Sequence, residues 1–256
     1  MIDYSIADSV AEIVLDDPRK LNALDESGIA ELSAAFTRAA DDKARAVILR
    51  GEGRAFCAGR DISHVDPATD DAYRYLDGIV TPLLHQISEF PAPTFAVATG
   101  ACLGVGLGLL VASDVVYVAD TARIGSPFAN LGAILDSGGH ALFYERLGAH
   151  RTLDLIYTAE LMTGAEAVRL GLFSRVVPEA EVLDFTRERA LRVAGGAAGA
   201  FLASKQLVRR LRDERIGLWD SIADENRVQG ELTATDDYRE GFAAFQEKRK
   251  PAFTTP

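Results

Sequence analysis

The chain has little cysteine, methionine, tryptophan or histidine: 2, 2, 1 and 4 of its 256 residues. Two cysteines, Cys57 and Cys102, are too few for a disulfide framework, and no Cys-x-x-Cys spacing marks a zinc site. With His64 they make a ligand trio only on paper. Two buried small hydrophobes and a loop histidine describe them better, and no metal is expected. Positive charge is scarce as well: 27 Lys and Arg stand against 38 Asp and Glu, a net charge of −11. Nucleic-acid binders concentrate positive charge, so this balance argues against such a partner, while leaving room for a local basic pocket. The N-terminus, Met1-Ile2-Asp3-Tyr4-Ser5, lacks the apolar stretch of a secretory signal. No charge falls between Phe90 and Ser113, long enough to span a bilayer, but Pro91, Pro93, Gly100, Gly104, Gly106 and Gly108 break the run. A buried strand, turn and helix is expected there, in a cytoplasmic protein without a membrane partner.

What is present is ordinary globular material, 48% hydrophobic and 25% charged, enough for one large domain with an appendage. Strands are predicted at 10–15, 46–49, 94–98 and 115–119. Helices are predicted at 26–40, around Leu76 to Leu84, and at 106–112. This alternation predicts an α/β architecture with parallel strands. Thr163-Gly164-Ala165-Glu166 fits a capping box, and Gly171 fits the stop after the short helix it opens. Helices then follow at 179–193, 197–212, 218–229 and 236–248, with no clear strand after Arg175-Val176-Val177. The reading divides the chain into a core, 1–195, and a helical C-terminal region, 196–256.

Three stretches carry possible chemistry. In Ala55-Phe56-Cys57-Ala58-Gly59-Arg60-Asp61, small residues leave backbone amides open to a ligand, although taken alone the stretch reads better as a surface turn with Asp61 as cap. Gly100 to Gly108 follows a buried strand and opens an apolar helix, where free amides and the helix dipole suit an anion. A dinucleotide fingerprint fails there, because Leu109 stands at the third small position and no acid lies near Ile124; the Walker pattern fails too. In Ile134-Leu135-Asp136-Ser137-Gly138-Gly139-His140, the Asp, Ser and His do not make a hydrolase triad from adjacent positions, and no Gly-x-Ser-x-Gly elbow exists. Asp136 reads either as a buried base or as the cap of a helix starting at Ser137.

Taken in order, these stretches resemble the crotonase superfamily of enoyl-CoA hydratases and isomerases. Asp17-Pro18-Arg19-Lys20-Leu21-Asn22-Ala23-Leu24, Thr163 to Ala167, Gly171-Leu172, Glu240-Gly241-Phe242 and Glu247 to Phe253 extend the likeness over nearly the whole chain. The resemblance implies a crotonase-like spiral of ββα turns, a C-terminal trimerisation region, and a homo-oligomer that is a trimer or a dimer of trimers. It also implies an acyl-CoA thioester substrate, coenzyme A entering as part of that substrate and not as a separate cofactor. The family's oxyanion hole maps by this reading onto the backbone N–H groups of Ala58 and Val105. Coenzyme A contacts map onto Lys20, Leu21, Ala23 and the run Ala58, Gly59, Arg60, Asp61 and Ile62. Phe245 and Lys248 map onto contacts reaching a neighbouring subunit, although Lys248 also reads as part of a solvated charge run.

The departures from the family pattern decide the expected reaction. Typical hydratases carry two glutamates that hold and activate water; Gly108 and Phe128 stand in their places. Asp136 remains, at a site where dienoyl-CoA isomerases and the isomerases of phenylacetate catabolism carry an acid. The expectation is an enoyl-CoA isomerase that shifts a double bond with one carboxylate. A hydratase with an atypical water site and an acyl-CoA-binding protein without turnover are the alternatives. Partial desolvation of Asp136 is expected from Ile134 and Leu135.

Overall fold

The computed structural model describes residues 1–254. Two sheets share the core. The larger runs β1 (Ile2–Ala7), β2 (Val10–Leu15), β3 (Ala46–Gly51), β5 (Thr94–Ala98), β7 (Val115–Ala119) and β10 (Arg175–Val177) in spatial order. Only the β1–β2 hairpin is antiparallel in it. The smaller runs β4 (Ala55–Cys57), β6 (Ala101–Leu103), β8 (Arg123–Gly125) and β9 (Met162–Thr163), with β9 alone antiparallel. Successive strands therefore alternate between sheets: β3, β5 and β7 feed the larger one, and β4, β6 and β8 the smaller. This is the expected spiral. Each turn places a short second-sheet strand before a helix or loop, and those strand ends build the site described below.

Local sequence explains the pieces. β5 is buried at all five positions, as an apolar run requires when both faces of a sheet are covered. α1 (Glu26–Asp41) buries Ile29, Leu32, Ala35, Phe36 and Ala39 at helical spacing, and the Asp25 carboxylate accepts the Gly28 N–H at its start. α2 (Ala72–Tyr75) leads through a π turn at 76–80 into α3 (Thr81–Ser88). α4 (Val105–Ala112) buries every residue except Val111, so the uncharged run from Phe90 folds as strand, turn, strand and core helix. No helix among the described residues is long and apolar enough to cross a membrane. The capping box at Thr163 opens α6 (Gly164–Arg169), both reciprocal bonds being present.

Some boundaries differ from expectation. The hairpin partner β1 is unanticipated, because Ile2-Asp3-Tyr4-Ser5-Ile6-Ala7 is an edge strand facing solvent along much of its length. α5 (Gly139–Thr158) begins two residues later than the capping alternative requires and is interrupted at Gly148, whose φ is 74°. α7 (Val182–Ala194), α8 (Ala198–Glu214), α9 (Leu218–Leu232) and α10 (Asp236–Gln246) form the helical end. Lys248 falls outside α10, with a left-handed φ of 55°. Among the described residues, the principal apolar core draws no buried residue from beyond Ala194. α8 is instead tied to that core by polar contacts: Lys205 Nζ lies 2.8 Å from Asp114 and donates to the Ala92 carbonyl at 3.3 Å.

Candidate active site

A buried asparagine organises the first wall. Leu21 and Asn22 both adopt left-handed backbone, with φ of 53° and 57°. Asn22 accepts the Asp17 N–H at 2.9 Å and donates to the Glu52 and Ala55 carbonyls at 3.0 and 2.7 Å, locking this turn to β4. The segment after β4 then zips along it. Ala58 N–H donates to the Leu21 carbonyl at 3.0 Å, Leu24 N–H to the Gly59 carbonyl at 2.8 Å, and Asp61 N–H to the Leu24 carbonyl at 2.9 Å.

This ladder corrects the sequence-based oxyanion assignment. The Ala58 amide is already spent on Leu21, so it is not a free donor. Alternation of a parallel bridge turns the Arg60 N–H away from Leu24, and it finds no acceptor among the described residues. Nothing in residue type distinguishes the amide of Ala58 from that of Arg60; only the pairing with 21–24 does.

The second donor comes from α4. Gly59, at φ 104°, passes so close to β6 that a Cβ there would lie 3.0 Å from the Leu103 carbonyl oxygen and 3.7 Å from Gly104 Cα. The Gly104 N–H is held by Ser126 Oγ at 3.1 Å, and the first helical bond is Gly108 N–H to the Gly104 carbonyl. The Val105 N–H, at the first helical position, is left without an intrahelical acceptor, at the positive end of the dipole. Phe128 covers this end: a Cβ on Gly104 would meet its ring at 2.8 Å.

Asp136 lies in the turn before α5 that packs on α4 at Gly108 and Val111. It does not cap α5; the N-cap is Gly138, which makes no side-chain bond. Instead, Asp136 Oδ1 accepts the Ser137 hydroxyl at 2.8 Å. Burial pushes its carboxyl above the ordinary aspartate range, and the Ser137 hydrogen bond and His140 oppose that push. Of the two flanking apolar residues, Leu135 is buried, 3% exposed, and packs on Gly139 at the start of α5. Ile134 points away, at 76% exposed, and does not contribute as the sequence implied.

Position 108 is shaped to this turn. A Cβ on Gly108 would stand 2.5 Å from Ser137 Cβ and 3.2 Å from its carbonyl oxygen. Tyr75 closes another side. It is 2% exposed, and its hydroxyl donates to the Leu24 carbonyl at 3.3 Å. Burial pushes its phenol up, with the Asp136 charge adding to the push. The Arg60 guanidinium lies 4.0 Å above its ring and pairs with both Asp70 oxygens at 2.7 and 2.8 Å. Tyr73, two residues before Tyr75, is exposed.

The segment from Lys20 to Ala23 and the run Ala58, Gly59, Arg60 and Asp61 lie side by side. Lys20 Nζ binds Asp61 at 2.7 Å, and that bond, with two from Ser63, holds the Asp61 carboxyl far below its usual range. Ile62 is half exposed at the rim. Phe245 and Lys248 are elsewhere: Phe245 lines an apolar recess of about 490 Å³ with Leu232, Phe242 and Phe253. No hydrogen bond or ion pair among the described residues joins either to the Lys20–Asp61 group. His64 is exposed, while Cys57 and Cys102 are buried partners on β4 and β6. Asn22 and the Arg60 amide are the site features the sequence reading missed. For Asn22 the signal was present, since asparagine tolerates left-handed turns better than most residues.

Comparison with known proteins places this geometry. The enoyl-CoA hydratase/isomerase family profile matches residues 5–256. A protein of Rhodobacter capsulatus named "Probable enoyl-CoA hydratase" is 36% identical over 253 residues, covering 99% of this chain and 97% of that one. The crystal structure of an enoyl-CoA hydratase from Bacillus anthracis superposes with a TM-score of 0.90 at 28% identity, covering 98% of each chain. That of an enoyl-CoA hydratase from Mycobacterium smegmatis gives 0.88 at 27%, covering 99% of each. The chain belongs to the enoyl-CoA hydratase/isomerase family.

Proposed function

We propose that this family member acts on an acyl-CoA thioester as a double-bond isomerase, with Asp136 as its proton-transfer group. Coenzyme A enters as part of the substrate, and no separate cofactor takes part. The thioester oxygen accepts the N–H groups of Arg60 and Val105, which stabilise it as it gains enolate character. Asp136 takes a proton from C2 of a 3-enoyl-CoA, leaving a dienolate. It returns that proton to C4, so the product is the 2-enoyl-CoA. The raised carboxyl pKa makes Asp136 a stronger base once ionised. Lys20 and the 58–62 segment form the mouth at which the coenzyme A portion docks, and Phe245 and Lys248 serve a neighbouring copy in a trimer or a dimer of trimers.

The observation that carries this reading is the fate of the two places where hydratases hold glutamates. Gly108 is packed on Ser137 and Phe128 covers Gly104, so neither position carries a proton-transfer group. The names of the relatives favour hydration instead, and one assay separates the two readings. With 3-enoyl-CoA, the wild type is expected to give 2-enoyl-CoA, and Asp136→Asn to lower turnover about 10²-fold or more while binding little changes. A wild type that only adds water to 2-enoyl-CoA, or an unimpaired Asp136→Asn, refutes the isomerase mechanism.

A further inference from the structure

Ser137 has no ordinary structural reason to be a serine. Its φ is 51°, a left-handed backbone that residues other than glycine, asparagine and aspartate seldom adopt. It caps no helix, because the N-cap of α5 is Gly138. Its side chain fills the space that glycine leaves at position 108, and its hydroxyl donates to Asp136 Oδ1 at 2.8 Å. The next residue, Gly138, continues the turn at φ 87°, and a Cβ there would meet Val111 of α4 at 3.3 Å. A strained turn, wedged against a helix, thus aims one hydroxyl at one carboxylate.

We propose that Ser137 is a positioning residue for this reaction: its hydroxyl fixes one oxygen of the Asp136 carboxylate, leaving the other for the substrate proton. This rests on the reading of Asp136 as the base. The same bond favours the ionised carboxylate and so opposes the effect of burial. The other titratable groups facing Asp136 are His140 in the first turn of α5 and Tyr75 of α2, above which the Arg60 guanidinium lies. α4, against which the 137–138 turn packs, carries no titratable residue.

The test is the acidic limb of kcat/KM for 3-enoyl-CoA isomerisation, in wild type, Ser137→Ala, Ser137→Gly and Asp136→Asn. Loss of a hydrogen bond to the charged form raises the Asp136 pKa. The limb should therefore move to higher pH in both Ser137 variants, by roughly half to one unit, a three- to tenfold loss of rate below it. On the plateau, kcat should fall severalfold with KM little changed. Ser137→Gly suits a left-handed φ, so it decides the matter if Ser137→Ala folds poorly. A limb that stays at the wild-type pH in the Ser137 variants, whatever the loss of rate, overturns the positioning role. Failure of the underlying reading shows elsewhere: in a wild type inactive on 3-enoyl-CoA, or in a fully active Asp136→Asn.

Discussion

Gly108 and Ser137 lie 29 positions apart in sequence (137 − 108), yet their contact sets the shape of the site, and a double-mutant cycle measures it. Gly108→Ala would place a Cβ 2.5 Å from Ser137 Cβ, where ordinary contacts lie at 3.4–4 Å. Overpacking of this kind costs about 1–3 kcal/mol. Alanine recovers about 1 kcal/mol of helix propensity within α4, so the single variant is destabilised by about 0–2 kcal/mol. Ser137→Gly removes the opposing Cβ. It relieves about 1–2 kcal/mol of left-handed strain and loses a hydrogen bond worth about 1 kcal/mol, leaving it near neutral. In that background only the 3.2 Å approach to the backbone carbonyl oxygen of position 137 remains, so Gly108→Ala should be relieved of most of the overpacking cost. The predicted coupling is about 1–3 kcal/mol. At about 2–4 °C per kcal/mol for a chain of this size, the Tm effect of Gly108→Ala should differ by roughly 2–12 °C between the two backgrounds. Thermal unfolding of the four proteins at one fixed protein concentration reads this directly. Additivity within about 0.5 kcal/mol would show that the two residues do not press on one another and refute the packing account.

Two further outcomes are open to measurement. Glu240 binds the Arg249 guanidinium at 2.5 and 2.9 Å and the Ala252 N–H at 2.7 Å, and these bonds, that from Arg249 foremost, hold its carboxyl down at about 2. A depressed folded pKa gives stabilisation that is complete above the ordinary glutamate value of about 4.3 and is lost as pH falls towards about 2. Amide exchange protection at Ala252 should therefore decline across that window and be weak at all pH values in Glu240→Gln; constant protection down to about pH 2 contradicts the tether. The helical end leaves Val208, Leu218, Trp219 and Phe242 largely exposed, and α8 has no fully buried residue. The family resemblance implies association through this end, so light scattering at micromolar concentration should report a trimer or a dimer of trimers, and a monomer would refute it.

Much of this protein is legible in one dimension because its signals are local. A run such as Phe95 to Ala98 is apolar at every position since both faces of its sheet are covered, and Thr163 with Glu166 caps a helix by bonds that span three residues. The ordered motifs around Lys20, Gly59 and Gly104 mark which segments meet, because close backbone approach needs small residues whatever the rest of the chain does. Asp136 stands out by subtraction, as the acid left once Gly108 and Phe128 are set aside. What the tertiary structure alone decides is where each polar group spends its hydrogen bonds. Ala58 and Arg60 carry identical amides, and pairing with residues 21–24 occupies the first and frees the second. Ile134 and Leu135 are both apolar, but only Leu135 turns inward, while Ile134 stays exposed. Ser137 meets the bare face of α4 only when the chain folds back, since a contact between distant positions depends on packing and leaves no periodic trace in the sequence.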